Sequence, residues 1–164
     1  VLGIAALGAL SGLIKAADNI KEAQVRQFEA ALVEARIQPY ALASSAILSA
    51  PPVAIQSYPT GTPPPTLASN ATPSSTNPWA LDPAGACFTI TGNGIIAAVA
   101  CPGAPTKCQS VTTAGMLCRE VAMTKNLPDG SAPSSGTAYT LWVRIWRTGD
   151  DPSRTYTNSQ VFYQ

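Results

Sequence analysis

The sequence predicts an α+β protein: one long N-terminal α-helix packed on an antiparallel β-sheet of four to five strands. Three observations carry that prediction. Apolar residues recur at helical spacing through residues 15–38, the period changes to two from residue 87 onward, and residues 51–78 between them hold eight of the fifteen prolines. A period near 3.6 places apolar residues on one helix face, and a period of two places them on one face of a strand. At 164 residues the chain has room for one domain and a projecting element, but not for two full domains.

Composition narrows the function. Charged residues make up 12% of the chain, against about 25% in ordinary globular domains. The net charge is +1, so no long-range field steers the protein onto nucleic acid or an acidic membrane. Histidine is absent, which removes Ser/His/Asp and Cys/His nucleophilic sites and any His-ligated metal. No enzyme and no cofactor are expected.

The elements follow in order. Residues 1–14, VLGIAALGALSGLI, carry neither charge nor proline, yet fall short of the roughly 18–20 apolar residues that cross a bilayer. They also lack a basic leader and a small-residue cleavage site, so they read as helix and not as a signal peptide. Beyond them Ile14, Ala17, Val25, Phe28, Leu32 and Ile37 recur at helical spacing, with Ile20 nearby. Lys15, Asp18, Lys21, Glu22, Arg26, Glu29 and Arg36 take the other faces, and Glu22 with Arg26 makes a favourable i,i+4 pair. One helix is therefore expected over residues 1–38, kinked or stopped by Pro39, with an Ala-rich continuation to about residue 48. This divides the chain into a helical part (1–50, apolar over 1–14 and amphipathic over 15–50), a connection rich in Pro, Ser and Thr (51–86), and a β domain (87–164).

No regular element is expected over residues 51–78; Tyr58, Leu67 and Trp79 are the candidate anchors of that connection. Alternation then predicts strands over 87–91, 95–100, 116–124, 137–147 and 157–163. In the fourth, Tyr139, Leu141, Val143 and Ile145 face one way and Thr140, Trp142, Arg144 and Trp146 the other. Asn93-Gly94, Asp129-Gly130 and Gly149-Asp150 supply the turns.

Cys87, Cys101, Cys108 and Cys118 form an even, clustered set without a CxxC pair, which reads as two disulfides made in an oxidising compartment. Three connectivities exist. The hairpin at Asn93-Gly94 would bring Cys87 and Cys101 nearly opposite each other, which favours Cys87–Cys101 and leaves Cys108–Cys118.

A helix that is apolar all round at its start and one-sided afterwards suits two solvents in turn. With the Pro-rich connection and the disulfide-bearing sheet, the string VLGIAALGAL resembles the apolar stretch of type IV pilins and type II secretion pseudopilins, minor pilins most of all. The resemblance covers about fifty residues by sequence character, and the rest by architecture. The family's basic leader, its Gly-Phe type cleavage junction and its Glu at the fifth mature position do not occur in the sequence, so the resemblance implies that about eleven residues precede Val1. It also implies a filament subunit of a pilus, secretion or DNA-uptake apparatus. Such a subunit is held in the inner membrane before assembly and packs against other subunits through its helix in an extracellular filament. The competing expectation is a membrane-anchored extracellular module whose sheet binds a ligand.

Four groups remain as candidates. Ala5, Gly8 and Gly12 could let helix backbones approach closely. Trp142, Arg144 and Trp146, with Arg147 adjacent, suit stacking of bases and neutralisation of a phosphate, although packing against neighbouring side chains is the stronger reading and nucleic acid is not favoured as a partner. Asp150-Asp151 beside Glu120 or Asp129 lacks the fixed ligand spacing of a calcium loop, so no metal is expected. Asn70-Ala71-Thr72 matches the glycosylation acceptor triplet, which arises by chance too often to carry weight.

Overall fold

The structure, a computed structural model, describes residues 2–42, 48–57, 79–91, 94–150 and 155–164, with side chains from Ile14 onward. Helix α1 spans Leu2–Leu42 and runs through Pro39, beyond the expected stop. The missing proline N–H costs the bond to the Ala35 carbonyl, close to the helix end where few bonds remain to be lost. The last turn is pinned instead by Arg36, which donates to the Tyr40 hydroxyl at 2.9 Å and lies over its ring.

The buried stripe of α1 is Glu29, Val33 and Ile37, flanked by the half-buried Val25, Phe28, Leu32 and Tyr40. This corrects the sequence reading in two ways. Glu29, assigned to a solvent face, is 2% exposed, and Ile14 and Ile20 stand 56% and 60% exposed. Among the described side chains the helix meets the sheet from about Val25 on, and residues 14–21 are all exposed.

Among the described residues the sheet contains seven strands: β1 (Ile55–Gln56), β2 (Ala80–Leu81), β3 (Cys87–Ile90), β4 (Ile96–Val99), β5 (Leu117–Lys125), β6 (Ala138–Arg147) and β7 (Tyr156–Tyr163). The main path is β4-β3-β5-β6-β7, antiparallel throughout. These five strands match the predicted ones to within a residue or two. The far edge of β5 is shared by three short partners: β3 at Leu117–Cys118, β2 at Glu120–Val121, and β1 at Met123–Thr124. Strand β1 runs parallel, and it corrects the expectation that no regular element persists in residues 51–78. Of the expected anchors of that segment, Trp79 is buried, while Tyr58 and Leu67 lie outside the described residues, as do Asn93, Asp151 and the triplet at Asn70.

One face of the sheet, Phe88, Leu117, Val121, Met123, Leu141, Val143, Ile145 and Phe162, packs on Val33 and Ile37 of α1. Burying a side chain of this size contributes about 1.5–3 kcal/mol. The helix side is thus the main core. A smaller cluster on the opposite face gathers Cys87, Cys108, Val111, Met116, Cys118 and Trp146, with Cys101 and Leu81 at its margin.

Candidate functional site

The two faces of the sheet each bury a charged centre. On the face away from α1, alternation along β5 and β6 sets Glu120 opposite Arg144. The Arg144 Nε donates to Glu120 Oε2 at 2.7 Å and Nη2 approaches the same oxygen at 2.5 Å, while Oε1 accepts the Cys108 N–H at 2.8 Å. The guanidinium lies 4.2 Å from the Trp79 ring centre and 5.3 Å from that of Trp146. Burial pulls the Arg144 guanidinium below its ordinary value and the Glu120 charge opposes that pull. Lys107, buried beside the pair, is lowered by the same desolvation, again against Glu120.

On the face of the sheet toward α1, beside β2, Asp82 holds two arginines. Its position comes from a local turn, in which its Oδ1 accepts the Ala84 N–H and its carbonyl accepts the Gly85 N–H. Arg36 of α1 and Arg119 of β5 approach Asp82 Oδ2 at 2.9 and 2.7 Å. Arg119 also donates to the carbonyls of Leu32 and Gly85 and lies over the Phe88 ring, so one side chain ties helix, turn and sheet together. Desolvation lowers the Arg119 pKa, opposed by Asp82. Glu29 is pushed above its ordinary value by burial, and Arg26, at 2.9 Å, offsets this only in part.

These contacts decide the sequence candidates. Cys87 pairs with Cys101 and Cys108 with Cys118, the connectivity read from the hairpin. Trp142, Arg144, Trp146 and Arg147, for which packing was the stronger reading, do not form an open row. Arg144 and Trp146 are 2% and 4% exposed, and Trp142 donates its indole N–H to Thr124. Arg147 is the one with an accessible head, and it pairs with Asp150. A buried, neutralised guanidinium between two rings holds a fold together and offers no phosphate site.

The candidate calcium carboxylates are likewise engaged apart from one another. Glu120 is on Arg144, Asp150 on Arg147, and Asp129 accepts from the Ser131 hydroxyl and N–H, which keeps it below the ordinary carboxylate range. Among the described residues no group of three His, Cys, Asp or Glu side chains could hold a metal ion. Ala5, Gly8 and Gly12 fall within the α1 backbone, and their surroundings lie outside the described side chains.

A groove of about 330 Å³ opens between α1 and the β3–β4 turn, lined by Lys21, Gln24, Val25, Phe28, Ile90 and Arg147 among others. It contains no nucleophile paired with a base. Among the described residues no helix is long and apolar enough to cross a membrane. Comparison with known protein families, with curated proteins and with solved structures finds no match, so the chain's family is not shown by likeness.

Proposed function

We propose that this protein is a structural subunit, of the minor pilin or pseudopilin kind, in a type IV pilus or a related secretion or DNA-uptake filament, where it packs against other subunits through α1. The observation that carries the reading is the shape of the helix. Its second half is bound to the sheet by Val33, Ile37 and the Arg36–Asp82–Arg119 clamp, while Ile14 and Ile20 are exposed and residues 1–14 carry no charge. An uncharged helix end that continues from exposed turns suits lipid or another helix as its surroundings. In this reading the protein waits in the inner membrane and then enters an extracellular filament, and the two disulfides suit that oxidising side of the envelope.

The ligand-binding alternative is weakened by the burial of Arg144 and Trp146, which removes the one aromatic and cationic face that alternation had offered. The test is made in the host. Deleting the gene should change the number of surface filaments, and the protein should be found in the sheared filament fraction. Gly8→Leu should lower its incorporation while leaving urea unfolding of the domain unchanged. A deletion that leaves filament number and length as they were, with the protein absent from the sheared fraction, refutes the proposal.

A further inference from the structure

We propose that the four cysteines form a thiol–disulfide exchange site, entered by a small thiol at Cys101 and resolved by moving a bond onto Cys87 and Cys118. The inference is independent of the filament reading. The two disulfides are neighbours in the core: Cys87 Sγ and Cys118 Sγ, which belong to different bonds, stand 3.9 Å apart, and both residues are fully buried. Cys87 of β3 lies directly opposite Cys118 of β5 in the ladder. The Arg119 N–H donates to the Ala86 carbonyl at 2.7 Å just beyond them, which makes Cys87 and Cys118 a non-hydrogen-bonded pair. Residues in such pairs approach to about 4.5 Å between Cα atoms, within the roughly 4.4–6.8 Å that a disulfide spans. The sulfurs therefore lie in the order Cys101, Cys87, Cys118, Cys108, two bonds end to end with a short gap between them.

Access sets the direction. Cys87, Cys108 and Cys118 are at most 1% exposed, whereas Cys101 is only partly buried. An incoming thiolate reaches Cys101 first. Its sulfur bonds to Cys101 Sγ, the Cys87–Cys101 bond breaks, and the electron pair leaves on Cys87 Sγ. That thiolate then attacks Cys118 Sγ; the Cys87–Cys118 bond forms, the Cys108–Cys118 bond breaks, and the electron pair and the proton shed by the incoming thiol end on Cys108.

One thiol is consumed and one is made, and two disulfides remain, a mixed one at Cys101 and a new one between β3 and β5. A second thiol removes the adduct as its own disulfide, leaving Cys101 and Cys108 reduced. The internal step is favoured because the attacking sulfur is held beside its target, where effective concentrations far exceed those of a thiol in solution. Its consequence is a transfer of cross-linking: the 101–108 segment is released from the sheet, and the short β3–β5 ladder is locked.

The test uses the intact native protein. It is exposed to limiting glutathione, quenched in acid, alkylated and mapped by mass spectrometry. Glutathione on Cys101, the alkyl label on Cys108 in about 1:1 proportion to it, and a Cys87–Cys118 bond are expected. A label on Cys87 with Cys108–Cys118 intact overturns the proposal, as does glutathione on Cys108, or failure of glutathione to open either bond while the protein stays folded. In the Cys101→Ser/Cys108→Ser variant, air oxidation should join Cys87 to Cys118 in most molecules. Two free thiols in that folded variant also overturn it; should the variant not fold, the wild-type mapping decides.

Discussion

Arg144→Met, Glu120→Gln and the combined variant test whether the charged centre behind the sheet acts as a single unit. Arg144→Met strips Glu120 Oε2 of both its guanidinium contacts and leaves a carboxylate with no exposure, held by the Cys108 N–H and the charge of the neighbouring Lys107. Breaking a buried pair from one side costs about 3–5 kcal/mol, because the partner's charge is stranded. Loss of stacking on Trp79 and Trp146 adds up to about 2 kcal/mol. Glu120→Gln keeps an oxygen for the Cys108 N–H but strands the cation, at a similar cost of about 3–5 kcal/mol. In the double variant neither member of the pair is left charged and only Lys107 loses the Glu120 charge, so the loss should be smaller than in either single variant. Urea unfolding followed by tryptophan fluorescence near pH 7, with the disulfides intact, reads these differences. With a slope of about 2 kcal/mol per molar urea, each single variant should drop its midpoint by roughly 1.5–3.5 M, while the double drops by less than either. If the two single losses sum in the double variant to within about 0.5 kcal/mol, the centre is not coupled and the reasoning fails.

Four further outcomes are expected. Asp82→Ala, which strands both Arg36 and Arg119, should lower stability by about 3–5 kcal/mol, and Asp82→Asn by less; thermal melts compare them. Ile37→Ala should cost about 2–5 kcal/mol by leaving a cavity in the main core, whereas Ile20→Ala on the exposed turns should stay within about 0.5 kcal/mol. Glu29, raised in the folded state by burial, contributes stability below its unfolded value near 4.5 and loses it as pH rises through the raised one. Glu29→Gln should therefore be more stable than wild type near pH 7, and the gain should shrink on acidification toward pH 4; urea midpoints at the two pH values check the sign. A chain starting at Lys15 should keep its melting midpoint and its cooperativity while losing any tendency to associate. Loss of cooperative unfolding in that truncation would make the apolar end part of the core.

The sheet was readable because each long strand buries one face in the main core, and alternation records that directly. Tyr139, Leu141, Val143 and Ile145 point to the helix as their spacing says. What alternation could not reveal is that the opposite face is also covered. Arg144 and Trp146 share the alternate row of β6, and what makes that row interior comes from elsewhere in the chain: Trp79 at the end of the Pro-rich connection, and Cys108 and Val111. Asp82 was illegible for a related reason: its partners Arg36 and Arg119 lie far away in sequence, and a turn aspartate has no pattern that points to them. Glu29 was assigned to solvent because a charge on a helix usually goes there, yet its spacing to Val33 and Ile37 places it on the buried stripe, with Arg26 one turn away to offset the charge. The two-residue strands β1 and β2 carry no periodic signal at all. They exist because β5 has an edge to be filled.

That division of the β5 edge has an evolutionary consequence. The chain between β1 and β2 starts and finishes on the same strand, with Met123–Thr124 holding one end and Glu120–Val121 the other. Its two ends are therefore brought together by the strand they share. By loop-closure entropy, doubling the length of a connection between fixed ends costs only about 0.6 kcal/mol. Insertions, deletions and rewritten proline runs there can accumulate without shifting the register of any strand. Related chains that keep this sheet are expected to diverge fastest in this stretch, so selection can reshape that part of the molecule while the sheet is preserved.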